Sequence, residues 1–281
     1  MHVVCVGLAT HDTILAVPRH PSRDEVVRAT DVAVAGGGGA ATAAVALARL
    51  GISTFFVGIV GDDDAGEFIR AGLEREGVEV TELRRVRGRS PQSAIFVTGE
   101  TRAIAAFRGA LPALELTRRA QELCLGAKWV HVDQNGYDAV AGLRERIVLS
   151  IDHGNPIPGL DVRGVALYAP TQSALRDVFG DAQTALDAGA ELVVVTRGAA
   201  GSVAYTRDGD VVEAPAFPAE PVSTLGAGDV FHGALLAQLA RDVPLPDALA
   251  AANACASLSC RALDGRSAIP TARELEAALV A

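Results

Sequence analysis

The chain has 281 residues, 49% hydrophobic and 21% charged, enough apolar side chain for one large core and far from the composition of a disordered segment. Acidic residues outnumber basic ones, 34 to 25, for a formal charge of -9, which argues against nucleic acid as a partner. Lys128 is the single lysine and no Gly-Lys-Ser/Thr occurs, so a Walker A phosphate loop is excluded.

The opening run Val3 to Leu8 is apolar on both faces, as a central parallel strand is, and Asp12 follows beyond its carboxyl end. Residues 14–35 are more polar and alternating, with Pro18, Pro21 and Arg23-Asp24-Glu25, and read as exposed strands of a lid. Gly36 to Gly39 let the chain approach a ligand, and the Ala-rich run Ala40 to Leu50 is a helix stopped by Gly51. A strand at Phe55 to Val60 leads through Asp62-Asp63-Asp64, acids suited to capping, into a helix that ends near Gly77. A second exposed pair lies at Ser93 to Val97 and Ala103 to Phe107, so the lid takes in about 14–35 and 91–108. Strands recur at Trp129 to Val132, Ile147 to Asp152, Val165 to Leu167 and Leu192 to Thr196, with helical stretches between them. Further strands at Ser202 to Tyr205 and Val211 to Glu213 precede a helix from Gly226 through Leu239 and another over Leu245 to Ala262. The repeated strand-then-helix order predicts a three-layer α/β/α doubly wound, mainly parallel sheet with a small β-sheet lid, one domain over 1–281, with ligands at the strands' carboxyl ends.

The four cysteines, Cys5, Cys124, Cys255 and Cys260, have no CxxC or zinc spacing and read as buried thiols. The start lacks a basic leader region and no apolar run reaches ~18 residues, so the expected location is cytoplasmic, with no membrane partner.

The strongest site candidate is Gly226-Ala227-Gly228-Asp229. A Gly-Ala-Gly turn at a helix start aims free backbone N–H groups and the positive end of the dipole at one point, an anion hole suited to phosphate. Asp229 in that first turn can take a proton from an attacking hydroxyl. Local pattern alone equally suits a glycine turn whose Asp stabilises its helix.

The segment Gly37 to Gly51, the stretch Gly58-Ile59-Val60-Gly61-Asp62-Asp63 and Thr224 to Asp229 resemble, in order and spacing, the two signature regions of the ribokinase-like (PfkB) sugar kinases. Thr196-Arg197-Gly198-Ala199-Ala200-Gly201 is similar to that family's nucleotide-phosphate turn, and Gly265 to Pro270 to its closing segment. The resemblance implies transfer of the γ-phosphoryl group of ATP to a sugar hydroxyl with Mg2+, a monovalent cation being a further candidate effector. Asp229 becomes the base and Gly226, Ala227 and Gly228 the anion hole. Asp12, Gly38, Gly39, Thr42 and Arg108 face the sugar, while Thr196, Arg197, Gly198, Gly201 and Asn253 face the nucleotide. Lid pairing between subunits, frequent in the family, implies a homodimer.

Three positions depart from the family pattern. Thr42 replaces the usual Asn, Ser223 replaces the Asp of Asp-Thr before the glycine turn, and Thr171-Gln172-Ser173-Ala174 stands where Asn-x-x-Glu is expected, so no metal ligand is assigned. Kinases of 6-deoxy-6-sulfofructose resemble this chain most in their motifs and share the first and third departures. They carry a lysine where this lid reads Asp24-Glu25 and an arginine where it reads Asp133-Gln134-Asn135. An acidic lid repels a sulfonate, so a neutral ketose or pentose is the expected substrate. The rival readings are the sulfosugar kinase, a nucleoside kinase and a catalytically idle sugar- or nucleotide-binding protein. His11, His131, His153 and His232 form no metal-ligand spacing, and His232 is expected to bond under the site rather than serve as a second base.

Overall fold

Alternate residues of β1 (His2–Val6) belong to two different cores. Val3 and Cys5 face one apolar cluster, and Val4 and Val6 face the other. That is the arrangement of a strand at the centre of three layers, and each fully buried aliphatic side chain there contributes about 1.5–3 kcal/mol. The computed structural model describes residues 1–99 and 101–280. β1 pairs in parallel with β4 (Ser53–Gly61) and β8 (Trp129–Val132). Outside β8 follow, also parallel, β9 (Leu149–His153), β10 (Leu167–Pro170) and β11 (Leu192–Thr196), then antiparallel β12 (Ser202–Thr206) and β13 (Val211–Ala214). On the other flank β5 (Glu79–Val86) runs parallel to β4 and completes nine strands in the order β13-β12-β11-β10-β9-β8-β1-β4-β5.

One face of the sheet is covered by α1 (Gly39–Arg49), α2 (Asp64–Arg75), α6 (Ala227–Leu239), α7 (Leu245–Ser259) and α8 (Ala272–Leu279). The other face carries α3 (Arg118–Leu125), a 3-10 segment over Asp138–Arg146, α4 (Gln172–Val178) and α5 (Ala182–Asp187). The Ala and Gly bias of α1 and α6 serves a close crossing: a methyl group at Gly233 would overlap the carbonyl of Ala43 and the side chain of Ala46. This crossing fixes Thr42 on α1 relative to Asp229 on α6. Asp63 caps α2 by accepting from Gly66 N–H at 3.0 Å, so the triple-Asp run serves a helix end.

A second sheet of four strands, ordered β3-β2-β6-β7, is made from β2 (Thr10–Ala16), β3 (Asp31–Gly37), β6 (Gln92–Thr98) and β7 (Thr101–Phe107). Ile14, Ile95 and Val97 on its inner face pack on Leu263 and Leu225 of the large layer. This lid begins at Thr10, earlier than the 14–35 expected, because β2 follows β1 after a three-residue turn, so Asp12 lies within a lid strand. Strand β5 was not expected: its run Glu-Val-Thr-Glu-Leu-Arg-Arg-Val places charges on the open flank of an edge strand, which masks the usual apolar signature. The strand expected at Val165 to Leu167 lies at Leu167–Pro170 instead.

Candidate active site

The carboxyl ends of the parallel strands form one row: Thr196 ends β11, Thr171 follows β10, Asp152 and His153 end β9, Asp133 follows β8 and Gly7 follows β1. Ligands of doubly wound sheets sit along this edge. Two of its carboxylates, with Asp229 of α6 as a third, converge at the start of α1. From the point where a side chain of Gly39 would begin, Asp133 Cβ and Asp229 Oδ1 are each 3.4 Å away and Asp152 Oδ2 is 3.5 Å away. Asp133 is a structural hub: its Oδ2 accepts from Leu8 N–H (2.9 Å) and Ala40 N–H (3.1 Å), and its Oδ1 from Asn135 N–H (2.8 Å) and Gly136 N–H (3.1 Å).

Asp229 sits in the first turn of α6, whose N-cap Gly226 has φ 74 and no capping side chain. The N–H groups of that turn therefore have no side-chain cap, Ala227 N–H donating to the Thr224 carbonyl at 3.4 Å, and the helix dipole stands behind them. Gly226 needs its glycine twice over, for the left-handed backbone and because its Cβ position lies 3.0 Å from Gly265 Cα. The Asp229 carboxyl is pushed up to about 7, chiefly by burial and then by the Asp152 and Asp133 carboxylates, against the opposing charges of His232 and Arg266. One turn further, His232 Nε2 lies 3.2 Å from Asp152 Oδ1, both side chains buried. Burial alone would neutralise this pair, but the Asp152 carboxylate raises the His232 imidazole above its ordinary value, and the imidazolium holds Asp152 below the carboxylate range. His131 beside them is pushed down to about 3 by burial and by His232, and is neutral. His232 thus bonds beneath the site, as expected.

Between the lid and the glycine turn lies a cavity of about 50 Å³, whose walls include Asp12, Gly38, Thr42, Gly226 and Asp229. That is room for a water or two. Asp12 is buried and its Oδ1 has no hydrogen-bond partner among the described residues. The glycines beside it are required by the chain itself: a methyl group at Gly37 would overlap the Asp12 carboxylate, and one at Gly38, with φ 93, the Leu8 carbonyl. Gly39, Ala227 and Gly228 do not line this cavity; Gly39 faces the three carboxylates. Arg108 lies just beyond β7, exposed, with Nη1 donating to Asn135 Oδ1 at 3.3 Å. From the lid, Arg102 Nη1 donates to Thr224 Oγ1 at 3.3 Å, joining β7 to the glycine turn.

The five residues expected to face nucleotide gather at the far end of the same row. Thr196 pairs with Ser202 and bridges to Thr171, and Gly198 and Gly201 take φ 57 and 81 in the turn after β11. Arg197 donates to Glu213 Oε2 at 3.1 Å. Asn253 on α7 is turned into the protein, its amide donating to the carbonyls of Ala214 (2.9 Å) and Pro215 (3.0 Å), the segment that also closes over Gly201. Its amide hydrogens therefore hold the wall of this region. Lys128 pairs with Asp242 at 2.8 Å, outside the site.

The residues present do not make a resident cage for magnesium. Among the described residues no group of three His, Cys, Asp or Glu side chains is arranged to hold a metal ion, and the Thr171 hydroxyl caps α4 by accepting from Ala174 N–H. Ser223 is likewise engaged locally, its Oγ accepting from Leu225 N–H at 3.2 Å.

Residues 1–153 and 165–272 match the model of the pfkB family carbohydrate kinases. The chain is 29% identical to the ribokinase of Bacillus subtilis, covering 98% of this chain and 99% of that one. It is 30% identical to an ATP-dependent ribose-1-phosphate kinase of Halopiger xanaduensis, covering 99% and 98%. The structure of an Arabidopsis thaliana ribokinase complexed with ribose and ATP superposes with a TM-score of 0.86 at 23% identity, over 99% of this chain and 98% of that one. The chain belongs to the pfkB family of carbohydrate kinases, and its fold is the ribokinase-like α/β fold with a lid sheet. It is a phosphotransferase with an alcohol group as acceptor.

Sequence reasoning missed Asp133 and Asp152 as parts of the site, Arg102 as a lid contact and Arg266 as a buried cation. Asp133 and Asp152 each stand at the end of a recognised apolar strand, the one place where the doubly wound rule directs attention, so that signal was present. Arg266 and Arg102 carried none, because their neighbours come from segments far away in the chain.

Proposed function

We propose that this protein transfers the γ-phosphoryl group of ATP to a hydroxyl of a small neutral sugar, a ketose or a pentose, with Asp229 as the base. The observation that carries the reading is one cavity, between the lid and the large layer, that Asp229, Asp12 and the Gly226 turn line together. The sugar hydroxyl gives its proton to Asp229 while its oxygen attacks phosphorus and the bond to ADP breaks. The N–H groups at the head of α6, from Gly226, Ala227 and Gly228, stabilise charge growing on the transferred group. Asp12, Gly38 and Thr42 hold and orient the sugar; Gly39 and Arg108, expected beside them, lie outside the lining of the cavity. The nucleotide rests on the turn of Thr196, Arg197, Gly198 and Gly201, with Asn253 fixing the adjoining wall. Magnesium arrives with the nucleotide phosphates and water. Lid closure excludes water, so that the sugar and not water is the acceptor.

A neutral substrate is favoured by the carboxylates, not by the lid charge. Asp24 and Glu25 pair with Arg23 and Arg19, so the lid acids are locally balanced. Asp12, Asp229, Asp152 and Asp133 instead concentrate acid around the cavity, opposed by Arg266 and His232. Strand β7, exposed along its length with Ile104 and Phe107, offers an edge for pairing with a second copy.

The test is magnesium-dependent ADP release with ribose, fructose, tagatose, 2-keto-3-deoxygluconate, adenosine, fructose 6-phosphate and 6-deoxy-6-sulfofructose, with and without potassium. A response to a neutral sugar supports the reading. A response only to the sulfosugar or to adenosine moves it to those substrates, and a flat panel with ATP binding intact speaks for an idle binder.

A further inference from the structure

The chain passes between the large layer and the lid four times, at residues 7–9, 38, 87–91 and 108–117, and the passages lie in two pairs. The first two touch: a methyl group at Gly38 would overlap the Leu8 carbonyl. So do the last two, since one at Gly109 would overlap the Arg89 carbonyl. The lid residues in the wall of the cavity, Asp12, Ile14, Gly36 and Gly37, belong to β2 and β3 and hang from the first pair. Among the described residues none of the wall comes from β6 or β7.

Each pair is held by carboxylates of the large layer. Asp133 Oδ2 accepts from Leu8 N–H in the first passage and from Ala40 N–H just past the second, so one oxygen ties the two together. Its Oδ1 accepts from Asn135 and Gly136 N–H, which fixes the group on its own loop. These four donors occupy its lone pairs and favour the carboxylate form against the burial that pushes it up. Glycine makes the fit possible: a methyl group at Gly7 would overlap this carboxylate, and one at Gly136 the Val6 carbonyl. The second pair is held at the head of α2. Asp63 accepts from both the N–H and the hydroxyl of Ser90, and Asp62 Oδ1 accepts from Gly88 N–H at 2.9 Å. The Ser90 hydroxyl, fully buried, accepts in turn from Gly61 N–H at 2.9 Å.

The first clamp also stands beside the base. Asp133 Cβ and Asp229 Oδ1 each lie 3.4 Å from the Cβ position of Gly39, the residue that follows the second passage. We propose that Asp133 is a positioning residue for phosphoryl transfer: by tying both ends of the β2–β3 pair to the strand end beside Asp229, it sets how far the lid stands from the base and so which acceptor, sugar or water, receives the phosphoryl group. This inference rests on the sugar-kinase reading and deepens it. When β2 and β3 stand too far from Asp229, water enters and its oxygen attacks the phosphorus in place of the sugar hydroxyl. One of its protons passes to Asp229, the bond to ADP breaks and inorganic phosphate leaves. Asp133 itself touches no reacting atom and acts through the lid.

The experiment follows ADP, phosphorylated sugar and inorganic phosphate together for the wild type, Asp133→Asn and Ser90→Ala. The acceptor is D-ribose, D-fructose or D-tagatose, whichever the wild type turns over fastest. Work at about pH 8.5 keeps Asp229, with its value of about 7, ionised whether or not the Asp133 charge is present. Asparagine has the same size but a single acceptor oxygen, so two of the four N–H groups lose their partner. Expected for Asp133→Asn is a rise of about 10-fold in inorganic phosphate formed per phosphorylated sugar and in sugar KM, with ATP KM within about twofold. Ser90→Ala loosens the second pair, which carries none of the described wall, and is expected to lower the melting temperature with that ratio unchanged. If Asp133→Asn does not fold, amide exchange in the wild type decides. The Leu8 and Ala40 amides are expected to exchange slowly and to slow further by one common factor when sugar binds.

An Asp133→Asn protein with a lowered melting temperature but unchanged product ratio and sugar KM overturns the proposal and leaves the kinase reading standing. So does a Ser90→Ala protein whose ratio rises as much. Leu8 and Ala40 amides that sugar leaves unaffected, or slows by different factors, overturn it as well. A wild type that phosphorylates none of the three sugars removes the neutral-sugar reading, and the proposal falls with it.

Discussion

His232 Nε2 lies 3.2 Å from Asp152 Oδ1, and this buried pair sits one helical turn from Asp229. The imidazolium lowers the Asp229 carboxyl and the Asp152 carboxylate raises it, the latter effect being the larger. The base must be ionised to accept a proton, so turnover is lost as the pH falls through the Asp229 value of about 7. His232→Gln removes a positive neighbour and is expected to move this acid limb upward. Asp152→Asn removes a negative one and is expected to move it downward. Profiles of kcat/KM against pH check both signs, and limbs that stay in place for both variants contradict the coupling.

The same raised carboxyl affects stability. A group whose folded value lies above its unfolded value near 4 binds more protons when folded, so its favourable contribution is complete below about pH 4 and is lost as the pH rises through about 7. Above that, the fold carries a buried charge facing Asp152 and Asp133. Asp229→Asn is expected to raise the melting temperature at pH 8 by a few degrees and to have little effect at pH 4. Thermal unfolding at the two values tests this, and equal shifts at both contradict it.

Gly226 holds φ 74 against Gly265. Gly226→Ala is expected to cost about 1–2 kcal/mol from the left-handed backbone and to lower kcat by about 100-fold as the N–H groups lose their aim. Urea unfolding and ADP release measure the two effects, and a variant within about twofold in kcat would remove the turn from the chemistry.

Edge strand β7 is exposed throughout, and Ile104 is 51% accessible on it. If a second copy pairs there, Ile104→Lys converts a dimer to a monomer in sedimentation velocity at unchanged melting temperature. A wild type that sediments as a monomer contradicts the lid dimer.

How much of this was legible in the sequence differs from residue to residue. The glycine turn at Gly226 to Asp229 could be read because its function is local: three small residues and an acid at a helix start. Central strands such as β1 could be read because both faces are apolar, whereas β5 could not, its charges belonging to an exposed edge. In the sequence Thr42 stands only as a replacement for the family's usual Asn. The structure gives its hydroxyl a partner, Arg266, that lies 224 positions away, and no window of sequence could join the two. Asp24 and Glu25 looked like a repelling patch because charge counting along a chain does not see that Arg19 folds back onto Glu25.

The central claim is that Asp229 takes the proton. The most direct test is Asp229→Asn in sugar-dependent ADP release, with sugar and ATP affinities measured by calorimetry on the same preparation. The account predicts turnover reduced by about 100- to 10,000-fold with both affinities retained. Turnover near that of the wild type would contradict it, and the proton acceptor would then have to be sought elsewhere along the strand ends.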